Sequence, residues 1–283
     1  MTLCLFGWKE SSLLRVTDDL GRVIGLAGPA QRIVSLVPSI TETLFALGAG
    51  DRVAGVTDYC IHPAEAVGGK ARVGGTKTLR IETILSLHPD LVIANAEENR
   101  KHQVRKLEDA GLDVFVNFTR TVEGCLKMIA DVASLTETQD AALEISASIR
   151  ASLDEAKARA PEPPPRVLCP IWKNPYMSIS RDTFVHSILR SAGGENVFEE
   201  HPERYPKFTL DDVVLKQPEI IILPTEPYRF TEEDKADFET LVEKVPAVNH
   251  IHIVEGELLS WYGPRVARAL RELSALFRAV KLH

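Results

Sequence analysis

One uninterrupted helix-forming run divides this chain into two halves. From Thr138 to Ala160 the sequence contains neither glycine nor proline, and alanine, leucine, glutamate, lysine and arginine dominate it. At about 1.5 Å per residue, a helix over this run would reach about 30 Å, the width of a small lobe. The run ends at the proline-rich segment 161–165, which cannot continue a helix and favours extended backbone. We take this as the domain boundary.

Strands and helices alternate on both sides of that boundary. Buried-strand patterns such as Leu91–Ala94 and Ile220–Leu223 are each separated from the next strand by a helical pattern, which is typical of a parallel sheet. At 283 residues the chain exceeds one average domain. We therefore predict an α/β fold of two Rossmann-like lobes: an N-terminal lobe over 1–121, a helical region with the connecting backbone helix over 122–160, and a C-terminal lobe over 161–283.

Two short segments carry more local predictions. Residues 15–24 alternate around an Asp-Asp-Leu-Gly turn, which predicts a hairpin. Ser39 and Glu42 have the spacing of a capping box, which predicts a helix that starts at Ser39 and continues through Leu47.

The two halves also contain similar segments. Residues 82–93 align without a gap to residues 211–222, and both read as an acidic residue, an apolar helix, a proline-acid turn and an apolar strand. The match indicates either two related lobes or one common local unit used twice. In both cases it places an acidic residue, Glu82 or Asp211, at the start of a helix in each half.

Composition excludes several classes of function. The net charge of −7 is spread along the chain without a basic block, which argues against nucleic acid or an anionic membrane as the main partner. No apolar stretch is long enough to predict a transmembrane segment. The motifs of serine hydrolases, zinc peptidases, P-loop nucleotide-binding proteins and dinucleotide-binding folds are all missing from the sequence. We therefore expect no catalytic activity and no catalytic cofactor.

The cysteines and the start of the sequence bear on the compartment. Cys4, Cys60, Cys125 and Cys169 are scattered, which favours unpaired thiols packed as small hydrophobic side chains and leaves one long-range bridge open. The apolar start at 1–6 is soon interrupted by charge, unlike a secretory signal. On this pattern we expect the protein to stay soluble in the compartment where it is made.

Three blocks of sequence resemble the helical-backbone substrate-binding proteins of ABC importers. These are residues 32–42, 87–93 and 193–198, and the likeness runs from about Val16 to Val280. This family includes vitamin B12-binding, ferric-siderophore-binding and haem-binding proteins. The resemblance implies two lobes joined by one rigid helix, with a metal chelate held in the cleft between them.

Several functional expectations follow from the resemblance. We expect a monomer that binds a corrinoid such as cobalamin and delivers it to an importer permease, with a ferric siderophore or haem as the alternative ligand. The family implies a periplasmic location. Because no signal segment is visible, a cytoplasmic corrinoid-handling or sensor protein without a transporter is the other interpretation.

The binding residues are expected in loops at the carboxyl ends of strands, the usual ligand position in open α/β sheets. Aromatic residues make up only 6% of the chain, yet several fall in these loops. Flat rings there are suited to contact with a corrin, although each ring could instead pack against its own lobe. The ten candidates are Tyr59, Cys60, His62, Asn95, Glu97, Trp172, Tyr176, Trp261, Tyr262 and Arg265.

Some of these positions carry a more specific expectation. The resemblance matches Tyr59 to a ligand-contacting tyrosine and Arg265 to a cleft arginine, whereas Asn95 replaces the usual aromatic residue. Arg265 opens a helix, where a cation opposes the helix dipole, so we expect a partner for it, either an acidic group of the ligand or a carboxylate of the protein. His62 and Cys60 are candidate axial ligands of a bound metal, although loop packing is the commoner role.

Glu82 and Asp211 carry an expectation of a different kind. In the resemblance they match the pair of acidic residues, one per lobe, that dock onto arginines of the importer. A carboxylate in the first turn of a helix is also favoured by the helix dipole alone.

Overall fold

The computed structural model describes residues 14–241, 244–245 and 250–281, and it divides the chain into two compact units. The first unit contains the chain through Phe118 together with Ile129–Ala142, and the second contains Thr119–Met128 and Leu143 onward. The predicted lobe limits at residues 121 and 161 stay a prediction. Residues 1–13, which include Cys4 and the apolar start of the sequence, lie outside the described residues.

The first unit is built on a parallel sheet whose described strands lie side by side in the order 71–72, 53–56, 33–35, 91–95 and 114–117. The strands come from short apolar runs that are buried along most of their length, as expected where helices cover both faces of a sheet. In chain order, its elements are β1 (Leu14–Thr17), β2 (Val23–Leu26), β3 (Ile33–Ser35), α1 (Pro38–Ala46), the 3₁₀ turn Gly50–Arg52, β4 (Val53–Val56), α2 (Ala64–Val67), β5 (Ala71–Arg72), β6 (Gly74–Gly75), β7 (Thr78–Leu79), α3 (Ile81–Ser86), β8 (Leu91–Asn95), α4 (Lys101–Asp109) and β9 (Val114–Asn117).

Two consecutive helices follow, and each contributes residues to both units. They are α5 (Val122–Thr136) and α6 (Gln139–Ala158). The helix predicted over 138–160 is confirmed by the 20-residue α6.

The second unit is also built on a parallel sheet, whose described strands lie side by side in the order 195–196, 166–168, 220–224 and 251–254. Its core packs the strands against Phe208, Phe230 and Phe238. The elements are β10 (Arg166–Leu168), α7 (Phe184–Ser191), β11 (Glu195–Asn196), α8 (Leu210–Lys216), β12 (Ile220–Pro224), α9 (Glu232–Glu239), β13 (Ile251–Val254), α10 (Glu257–Ser260) and α11 (Arg265–Lys281). The prediction of an α/β fold with a parallel sheet in each half is confirmed.

The strand order creates a switch point in each unit. In the first sheet, β4 lies on one side of β3 and β8 on the other; in the second, β11 and β12 lie on opposite sides of β10. Because the connections then leave in opposite directions, a crevice forms outside the carboxyl ends of these strands, and ligands of open α/β sheets bind there.

The start of α1 differs from the prediction. Helix α1 begins at Pro38, whose missing N–H costs nothing at a first helical position, and its N-cap is Val37, which makes no side-chain capping bond. Ser39 therefore lies inside the first turn, and the predicted capping box with Glu42 is wrong. The hairpin predicted over 15–24 is confirmed by the antiparallel pair β1 and β2.

The similar segments at 82–93 and 211–222 share their backbone conformation. Each forms a short helix and a central strand, α3 with β8 and α8 with β12. The aligned residues His88 and Gln217 both take the left-handed conformation, with φ of 48° and 46°. A non-glycine residue at positive φ is uncommon, so the sequence match reflects one local structure built twice.

A side-chain contact repeats as well. Asp90 accepts a hydrogen bond from the backbone N–H of Arg32 at 2.9 Å, and the aligned Glu219 accepts one from that of Arg166 at 2.9 Å. In each unit a carboxylate after the turn therefore fixes the start of the neighbouring strand.

The described cysteines are buried and unpaired. Cys60, Cys125 and Cys169 are free thiols, which confirms the predicted packing for these three. Burial raises the pKa of the Cys125 and Cys169 thiols to about 12, so they stay protonated near neutral pH.

None of the helices formed by the described residues has the length and apolar character needed to span a bilayer.

Candidate functional site

The loop after β4 presents an exposed aromatic ring on a fixed backbone. The guanidinium of Arg72 donates to the carbonyl oxygens of Thr57 and Cys60, at 2.8 and 3.0 Å, and holds the loop in place. Tyr59 is 62% exposed. In this position its ring is available for contact with a ligand.

The neighbouring candidates in that loop differ in exposure. Cys60 is buried, and its Sγ lies 3.1 Å from the hydroxyl oxygens of both Thr41 and Thr57. Burial raises the pKa of the Cys60 thiol. His62 is half-buried. The thiol thus contributes to the packing of the first unit, and axial ligation by His62 stays a prediction.

The turn after β8 is held by three asparagines. Asn95 is buried, donates to Oδ1 of Asn117 at 3.0 Å, and accepts from the backbone N–H of Glu97 at 2.7 Å. Asn99 donates to the carbonyl oxygen of Leu36 at 3.3 Å, which links this turn to the loop after β3. Asn95 therefore shapes the switch point from inside, while Glu97 lies half-buried on the turn.

Ser39 lies in the first turn of α1 and not at the predicted N-cap. Ser39 is 2% exposed, and its hydroxyl has no hydrogen-bond partner among the described residues. A buried hydroxyl without a partner is costly. Its position in the first turn of the helix that follows β3, at the switch point, is the sequence signal that points to it.

The loop after β10 is anchored by charge. Lys173 donates to Asp234 at 2.6 Å and forms an ion pair with Asp237 at 2.7 Å, and the phenol of Tyr176 donates to Asp237 at 2.6 Å. Hydrogen bonds from Lys173 and Tyr176 hold the pKa of Asp237 below its usual range. Tyr176 also stacks on Phe208 at a centroid distance of 5.4 Å, so it packs against its own unit.

Trp172 belongs to the same loop but is much more exposed, at 44%. Its ring meets Tyr228 edge-on, with the two centroids 5.9 Å apart. Tyr228 is supported in turn by Phe230, at 4.7 Å between centroids. The two outer rings form an aromatic platform, Trp172 and Tyr228, at the carboxyl ends of β10 and β12.

Tyr228 was missed in the sequence. The apolar run Ile220–Leu223 predicts the strand before it, but the ten candidate residues include none from the loop after that strand. The rule that placed ligands at the carboxyl ends of strands applies equally to residues 225–230, and it would have included Tyr228 and Glu226.

The loop after β13 holds its aromatic residues inside the unit. Trp261 is buried and donates its indole N–H to Glu226 at 2.9 Å. Tyr262 is also buried and meets Phe184 edge-on at 5.7 Å between centroids. Each ring is therefore buried and has a partner in its own unit, and ligand contact by these residues stays a prediction.

Arg265 has the carboxylate partner that its position at the start of a helix demands. Its guanidinium lies 2.8 Å from Glu255 and 3.0 Å from Glu257, and it covers the ring of Trp261 at 5.2 Å from the centroid. Arg268 also pairs with Glu255, at 2.9 Å. The positive charge of Arg265 is thus compensated within the unit, and the role of a cleft arginine stays a prediction.

The two predicted docking carboxylates lie on the surface of their units. Glu82 is exposed in the first turn of α3, and Asp211 is exposed in the first turn of α8. The adjacent Asp212 instead closes a capping box with Thr209, whose hydrogen bonds lower the pKa of Asp212. Asp212 stabilises the helix end, which leaves Asp211 as the candidate for a partner contact.

A metal site made by the protein itself is not seen among the described residues. No group of three histidine, cysteine, aspartate or glutamate side chains lies close enough together to hold a metal ion there.

Comparison with known proteins identifies similar chains over most of the sequence. A family model described as periplasmic binding protein matches residues 33–256. The vitamin B12-binding protein of Vibrio campbellii is 26% identical over 257 residues, which cover 90% of this chain and 92% of that protein.

Two solved structures share the fold. The periplasmic vitamin B12 binding protein BtuF of Vibrio cholerae matches with a TM-score of 0.79 at 23% identity, over 90% of this chain and 99% of that one. The apo form of the periplasmic haem-binding protein RhuT from Roseiflexus sp. RS-1 matches with a TM-score of 0.72 at 24% identity, over 89% and 99%. These matches confirm the predicted fold class.

Proposed function

The chain belongs to the periplasmic binding protein family, and from this premise we propose that it binds a corrinoid, such as cobalamin, and delivers it to an ABC importer. The observation that carries the proposal is the match to a vitamin B12-binding protein over 90% of this chain. We infer that the role is binding without catalysis.

Aromatic rings in three loops support a flat and largely apolar ligand. Tyr59 in the first unit and Trp172 in the second are exposed, Tyr228 is half-buried beside Trp172, and all three lie in loops at the carboxyl ends of strands. Stacked or edge-on aromatic contact contributes about 0.5–1.5 kcal/mol beyond the area it buries. A corrin offers a broad flat face for such contact.

The anchoring of these loops supports binding without large rearrangement. The ion pairs of Lys173 and the hydrogen bonds of Arg72 order the loops before a ligand arrives. Little conformational entropy is then lost on binding, which favours affinity for a rigid chelate.

The partnerless hydroxyl of Ser39 supports a ligand with polar edges. Corrinoids carry amide side chains around the ring, and an amide oxygen would accept a hydrogen bond from the Ser39 hydroxyl. Such a bond would remove the cost of burying that group without a partner.

A second candidate ligand is a ferric chelate such as haem, and Tyr59 is the observation that favours it. Its exposed phenol is suited to ligate iron, as tyrosine does in some haem proteins. The Tyr59→Phe and Tyr59→Ala variants separate the candidates. Tyr59→Phe keeps the ring that would contact a corrin and removes the phenol oxygen that would bind iron.

Calorimetric titration of the purified chain with cyanocobalamin, haemin and a ferric hydroxamate tests the ligand. Saturable heat with cyanocobalamin that Tyr59→Phe leaves unchanged supports the corrinoid. Binding of haemin alone, lost in Tyr59→Phe, identifies the ferric chelate instead. Failure of all three ligands would contradict the binding of a metal chelate.

Delivery to an importer, a monomeric state and an extracytoplasmic location are parts of the same proposal. The Glu82→Lys/Asp211→Lys variant should keep ligand affinity and lose uptake of the ligand in cells. A Glu144→Lys/Asp154→Lys variant, which changes two exposed acidic residues of α6, is the matched control. Cell fractionation and light scattering test location and monomeric state.

A further inference from the structure

A separate pocket lies between α6 and α11 of the second unit. Its volume is about 200 Å³. The buried side chains of Ala156 and Leu270 supply its apolar lining. Two arginines, two serines and one glutamate supply the remainder.

The two arginines point to the kind of ligand this pocket takes. Arg271 and Arg278 are seven residues apart on α11, so they lie on one face of the helix, two turns apart. Arg271 donates to the Ser152 hydroxyl at 2.9 Å, and Arg278 donates to the Ser274 hydroxyl at 2.8 Å. Each guanidinium is thus oriented by a neutral group, and within the described part of the chain neither forms an ion pair.

The serine hydroxyls are themselves buried. Ser152 donates onward to the carbonyl oxygen of Ser148 at 2.9 Å, so its oxygen is fixed as an acceptor for Arg271. Ser274 is 2% exposed and accepts from Arg278, which leaves its proton for another acceptor. The pocket therefore offers oriented donors from both arginines and one hydroxyl.

The one acidic side chain of the lining is already compensated. Glu155 forms an ion pair at 2.8 Å with Arg159, which directly follows the last residue of α6. The positive charge of Arg271 and Arg278 is left for a ligand, and guanidinium groups match the geometry of oxyanions.

We propose that this pocket binds a small tetrahedral oxyanion, inorganic phosphate or the phosphate group of a small ester. The charge of a phosphate dianion matches two guanidinium groups, and its four oxygens suffice for both arginines and the Ser274 hydroxyl. A bound anion would join α6 to α11 and stabilise the second unit. The site is independent of the corrinoid proposed above.

Calorimetry with the full chain tests the site directly. Inorganic phosphate and glycerol 3-phosphate are titrated separately, at ionic strength matched with chloride, into the wild type and the Arg271→Gln/Arg278→Gln variant. We expect saturable heat with phosphate in the wild type, and an affinity at least about tenfold lower in the variant, because charge-assisted hydrogen bonds are lost. Binding of the ester as well would show that a substituent is accommodated.

Two further variants distinguish specific binding of phosphate in this pocket from a general effect of the protein's net charge. Arg105→Gln/Arg150→Gln removes the same charge from exposed positions on α4 and α6 and should bind phosphate like the wild type. Glu155→Gln should bind phosphate more tightly, because a neighbouring negative charge is removed. The proposal is overturned if the wild type gives no saturable heat, or if the control variant loses as much affinity as the pocket variant while circular dichroism shows all variants folded.

Discussion

Trp261 donates its indole N–H to Oε1 of Glu226 across 2.9 Å, and this bond joins the loop after β13 to the loop after β12. The same carboxylate oxygen accepts from the hydroxyl of Ser260 at 2.9 Å. One side chain in the β12 loop thus fixes the only tryptophan of the β13 loop, at the end of the sheet where the aromatic platform also lies.

Removing this acceptor should destabilise the fold. In Glu226→Ala the buried indole N–H loses this acceptor, whereas the Ser260 hydroxyl keeps the carbonyl oxygen of Gly256 at 3.0 Å, and we expect the free energy of unfolding to fall by about 1–3 kcal/mol. Urea denaturation followed by tryptophan fluorescence measures it. Glu226→Gln keeps an acceptor oxygen and should lose less; equal stability of Glu226→Ala and wild type would refute the role of this bond.

The ion pairs of Lys173 should matter for both stability and ligand binding. Lys173→Met leaves Asp234 and Asp237 without their shared cation, so we expect a loss of about 1–3 kcal/mol in unfolding free energy. Because Trp172 is the preceding residue, ligand affinity should fall as well. Denaturation and calorimetry measure the two effects.

A lysine on α9 provides the matched control. Lys235 forms longer ion pairs with Glu232 and Glu239, at 3.8 and 3.7 Å. Lys235→Met should cost no more than about 0.5 kcal/mol and leave ligand affinity unchanged. If the two methionine variants behave alike, Lys173 does not order the loop.

Substitution of Ser39 should lower ligand affinity without lowering the stability of the fold. Ser39→Ala removes a buried hydroxyl that has no partner among the described residues, so the unfolding free energy should stay equal or rise. If the hydroxyl donates to the ligand, affinity should fall by about 0.5–1.5 kcal/mol. Calorimetry and thermal melting give both values.

Thr41 is the control for this pair of measurements. Its hydroxyl donates to the carbonyl oxygen of Val37 at 2.9 Å and contacts Cys60 Sγ. Thr41→Val should therefore lose stability, unlike Ser39→Ala. A Ser39→Ala variant that is less stable than wild type but binds equally well would assign Ser39 a structural role.

The acid sensitivity of the second unit should depend on Asp237. Its pKa is held below the usual range by hydrogen bonds from Lys173 and Tyr176. Its stabilising effect is therefore fully present above the unfolded-state pKa of about 3.9 and is lost as the pH falls through the lower folded-state value. Unfolding free energies at pH 6 and pH 3 should differ less in Asp237→Asn than in wild type; an identical difference would contradict this.

The fold could be predicted from the sequence to the extent that its pattern is local. The Gly- and Pro-free run gave α6, and the two similar segments gave α3 with β8 and α8 with β12. The start of α1 was misread because Ser39 and Glu42 fit a capping box, while the preceding Pro38 is the residue that opens the helix.

The site was harder to predict because its contacts are long-range. Lys173 meets Asp234 across 61 positions, and Trp261 meets Glu226 across 35. Patterns among neighbouring residues in the sequence do not predict contacts between side chains so far apart along the chain. The sequence therefore identified the loops that carry aromatic residues but could not tell the exposed rings of Tyr59 and Trp172 from the buried rings of Trp261 and Tyr262.

The most direct test of the proposed function is calorimetric titration of cyanocobalamin into wild type, Trp172→Ala and Leu143→Ala. Trp172 belongs to the aromatic platform, whereas Leu143 is an exposed apolar residue of α6. We predict saturable binding by the wild type, a loss of about 2 kcal/mol or more in Trp172→Ala, and no change in Leu143→Ala. Absence of binding by the folded wild type, or equal affinity of Trp172→Ala, would contradict corrinoid binding at this platform.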